Sequence, residues 1–192
     1  MKKAIRIGVA AVICIGIVVG YYYYLSHRND QNTPEEVTEL TEVQKLTTKD
    51  FEQKYPATPR EVVKWYNRMI TCFYGEEYTE DEFDILVDQV RTLLDEDLLG
   101  YNPRETYVSN LQTDIEDYKN RDKKILQSSV SDSNDVIYKT VNGDECAYVN
   151  AYYFCQEGSD YSRTYEEFVL RKDEDGRWKI LAFQLTEGDA DE

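Results

Sequence analysis

No acid in this chain sits at an obviously inward strand position, and no catalytic residue is expected. Glu166 shares strand parity with Phe168 and Leu170, which makes it the best single suspect for a polar pocket residue, with a rim glutamate as the plainer reading. Burial raises the proton affinity of a carboxylate, and such groups cluster at binding and catalytic sites. Other chemistries lack their side chains. His27 is the single histidine and lies beside the apolar N-terminal stretch, which leaves the rest of the chain without Ser-His or Cys-His pairs and without most zinc sites. No glycine-rich phosphate loop occurs. "DEDG" at Asp173–Gly176 has the look of a calcium loop, but Arg177, Trp178 and Lys179 follow where further oxygen ligands are needed, and it reads as a β-turn. The acids Glu76–Glu82 read as the start of a helix, where negative charge meets the helix dipole. No metal and no cofactor is expected.

Cys14 lies in the apolar stretch, and Ile13 before it is not the small residue that lipoprotein cleavage wants. Cys72, Cys146 and Cys155 form an odd set with no CxxC spacing. Cys146 and Cys155 fall in one expected strand, on opposite faces and about 30 Å apart, too far to bridge. A bridge from Cys72 to either stays open, and buried free thiols fit better.

Three helices announce themselves by their caps. "TPRE" at Thr58–Glu61 offers a Thr cap, Pro at the first helical position and a capping-box Glu. Val62, Val63, Tyr66, Met69, Ile70 and Phe73 then share a face. "TEDE" at Thr79–Glu82 opens a second helix that carries Phe83, Leu86, Val87, Val90, Leu93 and Leu94. "NPRE" at Asn102–Glu105 predicts a third, capped by Asn102 and lined by Tyr107, Leu111, Ile115 and Tyr118. After Lys124 the period changes to two. Strands are expected over 125–131, 135–141, 145–156, 163–172 and 177–185, with Asn142–Gly143 as a hairpin turn. The fold class is α+β, three helices packed on a curved antiparallel sheet of four to five strands.

Ile7 to Leu25 is nineteen residues without a charge. As a helix it reaches about 28 Å, close to the bilayer core. It runs past the length of a secretory signal and ends in Tyr21–Tyr24, a belt suited to the interface, with no small-x-small cleavage site. Lys2, Lys3 and Arg6 precede it, which places residues 1–6 in the cytoplasm and the C-terminal domain outside. The expected layout is a tail (1–6), a retained transmembrane helix (7–25), a polar stalk (26–47) with a weak helix over 34–46, and an extracytoplasmic domain (48–192). Beyond Arg28 the chain has 18 basic and all 38 acidic residues, a net charge of −20. That field excludes nucleic acid and anionic surfaces as partners.

"VLRKDEDGRWKILAFQL", Val169 to Leu185, resembles the last hairpin of nuclear transport factor 2-like domains, also called cystatin-like or SnoaL-like cone folds. The span from "YPATPREVVKWYN" through "ECAYVNAYYF" to "RKDEDGRWKI" resembles an uncharacterised family of short single-pass proteins from Gram-positive bacteria. The resemblance covers roughly residues 49–185. It implies three N-terminal helices with a sheet wrapped around them, and a pocket between the two layers. It implies no activity, because this fold hosts enzymes, carriers and assembly subunits. Isomerases of this layout use a tyrosine with buried acids, for which Tyr66 or Tyr74 and Glu166 are the counterparts.

The tyrosines are the unusual feature: seventeen in all, thirteen beyond the N-terminal belt. Ala147, Val149, Ala151, Tyr153 and Cys155 suit the helix side of the long strand, which leaves Tyr148, Tyr152 and Phe154 outside. Strict alternation in the last strand sets Leu181, Phe183 and Leu185 against Trp178, Ile180 and Ala182. Two functions follow. In the first, Tyr148, Tyr152, Phe154 and Trp178 form a contact surface for a homodimer or an envelope protein, and the domain is a non-catalytic binding or assembly module. In the second, Tyr66, Phe73, Tyr107, Tyr153 and Phe183 line a pocket with Glu166 as its polar group, for small-molecule binding or an isomerase- or dehydratase-like activity. The first is the expectation carried forward.

Overall fold

The structure, a computed structural model, describes residues 40–187. The tail, the anchor at 7–25 and the stalk as far as residue 39 lie outside the described residues. No helix among the described residues is long and apolar enough to cross a membrane.

The chain is α+β. Among the described residues five helices come first: α1 (Glu42–Thr47), α2 (Pro59–Gly75), α3 (Glu80–Thr92), α4 (Glu96–Tyr101) and α5 (Arg104–Asn120). Five antiparallel strands follow: β1 (Lys123–Val130), β2 (Ile137–Val141), β3 (Asp144–Glu157), β4 (Asp160–Lys172) and β5 (Trp178–Thr186). The caps act largely as their sequences predict. Thr58 accepts from the Glu61 N–H at 3.2 Å, and Thr79 and Glu82 close a full capping box on α3.

Two of the helices are short, and the weak helix expected over 34–46 is described from Glu42. In α1, the last residues of the expected stalk, Val43 and Leu46 are buried in the core, so the compact unit begins at Leu40. In α4, Asn102 is the terminator. Its backbone N–H and its side-chain amide both donate to the Leu98 carbonyl, at 3.1 and 3.0 Å. This corrects its expected role as the cap of α5. Pro103 takes that position and makes no side-chain cap. The residue before a proline is disfavoured in helical geometry, so the chain breaks there between two helices.

β3 is the spine of the sheet. β4 pairs along its length, from Cys146–Arg171 to Glu157–Asp160. On the other edge β1 pairs with residues 151–157 and β2 with 144–148, end to end. Asn142 and Gly143, both with positive φ, form the β2–β3 turn. The core joins Val62, Val63 and Met69 of α2 to Ala147, Val149 and Ala151 of β3, with Phe168, Leu170 and Ile180 beside them. Cys72, Cys146 and Cys155 are free thiols, all buried.

β5 departs from strict alternation. Val169 pairs with Ala182 but Leu170 with Ile180, which leaves Leu181 as an extra residue. The bulge resets the parity, so Ile180 and Phe183 turn to the same face. Trp178 then lies with Ile180 in the core cluster, 8% exposed, and not on the outer contact surface where alternation placed it.

A buried ion pair fastens the far end of the sheet to the helices. Residues Leu93–Asp95 run beside β5, with Asp95 N–H on the Ile180 carbonyl and Ile180 N–H on the Leu93 carbonyl. The Asp95 side chain, in a residue 3% exposed, caps α4 and takes both fork nitrogens of Arg171, at 3.0 and 2.6 Å. Arg171 also reaches Asp97 at 2.8 Å. Removing one partner of such a pair strands the other charge without water. Arg171→Leu is expected to destabilise the domain by about 3–5 kcal/mol in urea unfolding, and Asp95→Asn in the same chain to recover part of that loss. Equal stability of Arg171→Leu and the parent would show that the pair is not closed in solution.

Candidate functional site

The cavity between helices and sheet has a volume of about 370 Å³. Three stripes build it. On α2, Tyr66, Ile70 and Tyr74 stand four residues apart and line one wall. On α5, Tyr107, Leu111, Asp114 and Tyr118 recur at helical spacing and form the roof, with Asn110 beside them. The floor is the sheet: Ile125 of β1, Tyr153 and Cys155 of β3, Thr164 and Glu166 of β4, and Phe183 of β5. The registers Ile125–Cys155 and Tyr153–Thr164 put these floor residues in facing pairs. Asn102, at the joint before α5, closes the lining. The space exists because α5 buries only Leu111 and Ile115, so its aromatic residues hold it off the sheet.

The rings are locked by one another. Tyr66 packs edge-on against Phe168 at 5.4 Å and tilts against Phe183 at 5.9 Å. Tyr74 and Tyr118 stack at 4.1 Å. The Tyr153 hydroxyl donates to Asn67 Oδ1 at 2.7 Å, inside the core. Tyr153 therefore offers the cavity its ring, while its hydroxyl is already spent as a donor.

Glu166 is the electrostatic centre. Burial pushes its carboxyl up to about 7. The lining holds a second acid, Asp114, and no lysine, arginine or histidine. Burial, and the nearness of other tyrosines and of Glu166, push the Tyr66 and Tyr153 hydroxyls well above the usual tyrosine range. They stay protonated at any physiological pH. Burial raises Tyr107 to about 12, with Arg91 pulling the other way. The cavity thus offers neutral aromatic walls and a carboxyl poised between its two forms near neutrality.

Tyr66, Tyr107, Tyr153, Phe183 and Glu166 all line this cavity. Phe73 does not. It is 1% exposed and packs in the core against Phe83 and Tyr78, at 5.5 and 6.1 Å. Its neighbour Tyr74, about 100° further round the helix, faces the cavity instead. Asp114 and Tyr118 were legible as continuations of the Tyr107 stripe at seven and eleven residues, and Thr164 shares the parity of Glu166. Asn102 carried no signal, because it was read as a cap.

Tyr148, Tyr152 and Phe154 share the outer sheet face, half-buried. They are covered by their own neighbours. Phe154 stacks on Tyr161 at 5.6 Å, Tyr152 meets Tyr165 at 6.0 Å, and Lys139 lies over Tyr148 at 4.8 Å. Trp178 is not among them, and its carbonyl accepts from the Tyr55 hydroxyl at 2.8 Å.

The Glu166 shift fixes a sign for stability against pH. The folded chain holds this proton more tightly than the unfolded one. Its contribution is complete below about pH 4.5 and is lost as pH rises through about 7. Glu166→Gln keeps a neutral side chain throughout. Against the parent it is expected to gain about 1 kcal/mol between those limits, a figure discounted for partial exposure, as read from urea unfolding across pH. A pH-independent difference between the two chains would contradict a buried, uncompensated carboxyl.

Residues 1–183 match the family described as Domain of unknown function (DUF6715). No match was found among curated proteins. The family match spans the apolar N-terminal stretch and the described domain as far as Phe183, and the chain belongs to this family of unknown function.

Proposed function

We propose that this protein is a small-molecule receptor whose ligand sits in the tyrosine-walled cavity. The observation that carries this reading is Glu166 at the floor of a 370 Å³ space. Concave, mainly apolar sites with a few convergent polar groups are where proteins hold small ligands. A half-buried acid without a lining counter-charge carries a desolvation cost, and a binding role explains why it stands there. In this proposal the domain has the nuclear transport factor 2-like fold, for which the order of helices before an antiparallel sheet is the support. Residues 7–25 anchor the chain as a transmembrane helix, and the acidic domain lies outside, on the strength of the apolar run and the basic residues before it.

This displaces the assembly-module expectation from first place. Tyr148, Tyr152 and Phe154 pair with neighbouring rings and basic side chains and are half-buried. A second reading attaches to the cavity itself. A carboxyl near its midpoint at neutral pH beside the protonated Tyr66 hydroxyl suits proton transfer on the bound molecule, as in an isomerase or dehydratase.

The test is a thermal-shift screen of neutral, anionic and cationic small molecules on the full-length protein in mild detergent. A ligand at about 100 times its Kd stabilises by about 2.7 kcal/mol, which raises Tm by roughly 5–10 °C for a domain of this size. Thr164→Phe, which fills the floor, is expected to abolish the shift while the protein still melts cooperatively. A screen with no stabilising compound, or shifts that survive Thr164→Phe, would remove the cavity as the site.

A further inference from the structure

The composition of the cavity wall names a ligand class, and this step rests on reading the cavity as a ligand site. Five tyrosines and Phe183 line the space with two carboxyl groups, Glu166 half-buried at the floor and Asp114 exposed at the rim, and no basic side chain lines it. Aromatic faces carry negative potential and attract cations, most of all ammonium heads stripped of water. The wall rings already behave this way toward the protein's own cations. Arg91 lies over Tyr107 at 5.8 Å and Lys123 over Tyr118 at 4.5 Å. Neither side chain lines the cavity, although the charge of Arg91 is felt at Tyr107 and that of Lys123 at Cys155 on its wall.

We propose that the cavity takes a small organic cation, an alkyl- or quaternary ammonium ion, ringed by Tyr66, Tyr74, Tyr107 and Tyr153 with Glu166 and Asp114 as its counter-charges. Tyr118 has less to offer, because Tyr74 stacks on it and Lys123 lies over its ring. The volume admits an ammonium head with a short substituent, at the small end of ligand sites. An anionic ligand would meet two carboxyl groups with no partner for its own charge. A neutral ligand would leave the buried carboxylate as uncompensated as before. The field agrees on a larger scale: the net charge of −20 beyond Arg28 draws cations toward the domain.

The experiment compares choline with its neutral carbon isostere, 3,3-dimethylbutan-1-ol, by titration calorimetry on the full-length protein in detergent near pH 8. The two have the same shape and differ in charge. Choline is expected to bind at least about 10-fold tighter than the alcohol. Glu166→Gln is expected to weaken choline by about 10-fold and leave the alcohol unchanged, and Tyr107→Leu to weaken choline as well. Equal affinity for the pair would overturn the cation proposal and leave the receptor reading intact. Binding of choline that Glu166→Gln does not alter would overturn it too, because the cation would then sit elsewhere. If neither compound nor tetramethylammonium binds, the cation proposal fails, and the receptor reading stands or falls on the broader screen.

Discussion

The structure depends on the alternation of one long strand. β3 runs from Asp144 to Glu157 and carries three other strands on its two edges. Its period of two sends Ala147, Val149 and Ala151 under the helices and Tyr148, Tyr152 and Phe154 to the far side. Ala147, Val149 and Ala151 lie in the packed core, and Tyr153 and Cys155, further along the same face, line the cavity.

The charged groups divide along the same strand. Near Cys146 the buried Asp95 is neutralised by Arg171. Where α5 rests on two buried residues, the floor admits a carboxyl at 166 opposite Ala151. The same part of the chain spends its basic residues elsewhere. Arg171, five residues on, is taken by Asp95 and Asp97. Arg91 is drawn to the Asn102 carbonyl and the Tyr107 ring, and Lys123 to Tyr118. Glu166 is left with neutral neighbours, and burial alone sets its proton affinity.

Much of this was legible before the coordinates. The caps at Thr58 and Thr79 and the stripes of α2 and α5 are local signals, and local signals survive folding. So did the parity that placed Glu166 and Tyr153 on one face. The failures share a cause: each depended on a partner distant in sequence or on a break in period. Trp178 turned inward because a bulge at Leu181 reset β5, and nothing in "WKILAFQL" marks a bulge. Asn102 was read forward as a cap when it closes a six-residue helix behind it. Val43 and Leu46 looked like stalk, since six residues show too little of a 3.6 period to betray a buried face.

The most direct measurement is the ionisation of the Glu166 carboxyl itself, followed by carbon-detected NMR on full-length protein labelled at glutamate, with Glu166→Gln to assign the resonance. A midpoint near 7 is the predicted result. It would establish a carboxyl held in an aromatic enclosure without a counter-charge. A midpoint in the ordinary glutamate range, near about 4.3, would mean that water or a cation of the protein reaches it. The cavity would then lack the electrostatic vacancy on which its proposed function rests.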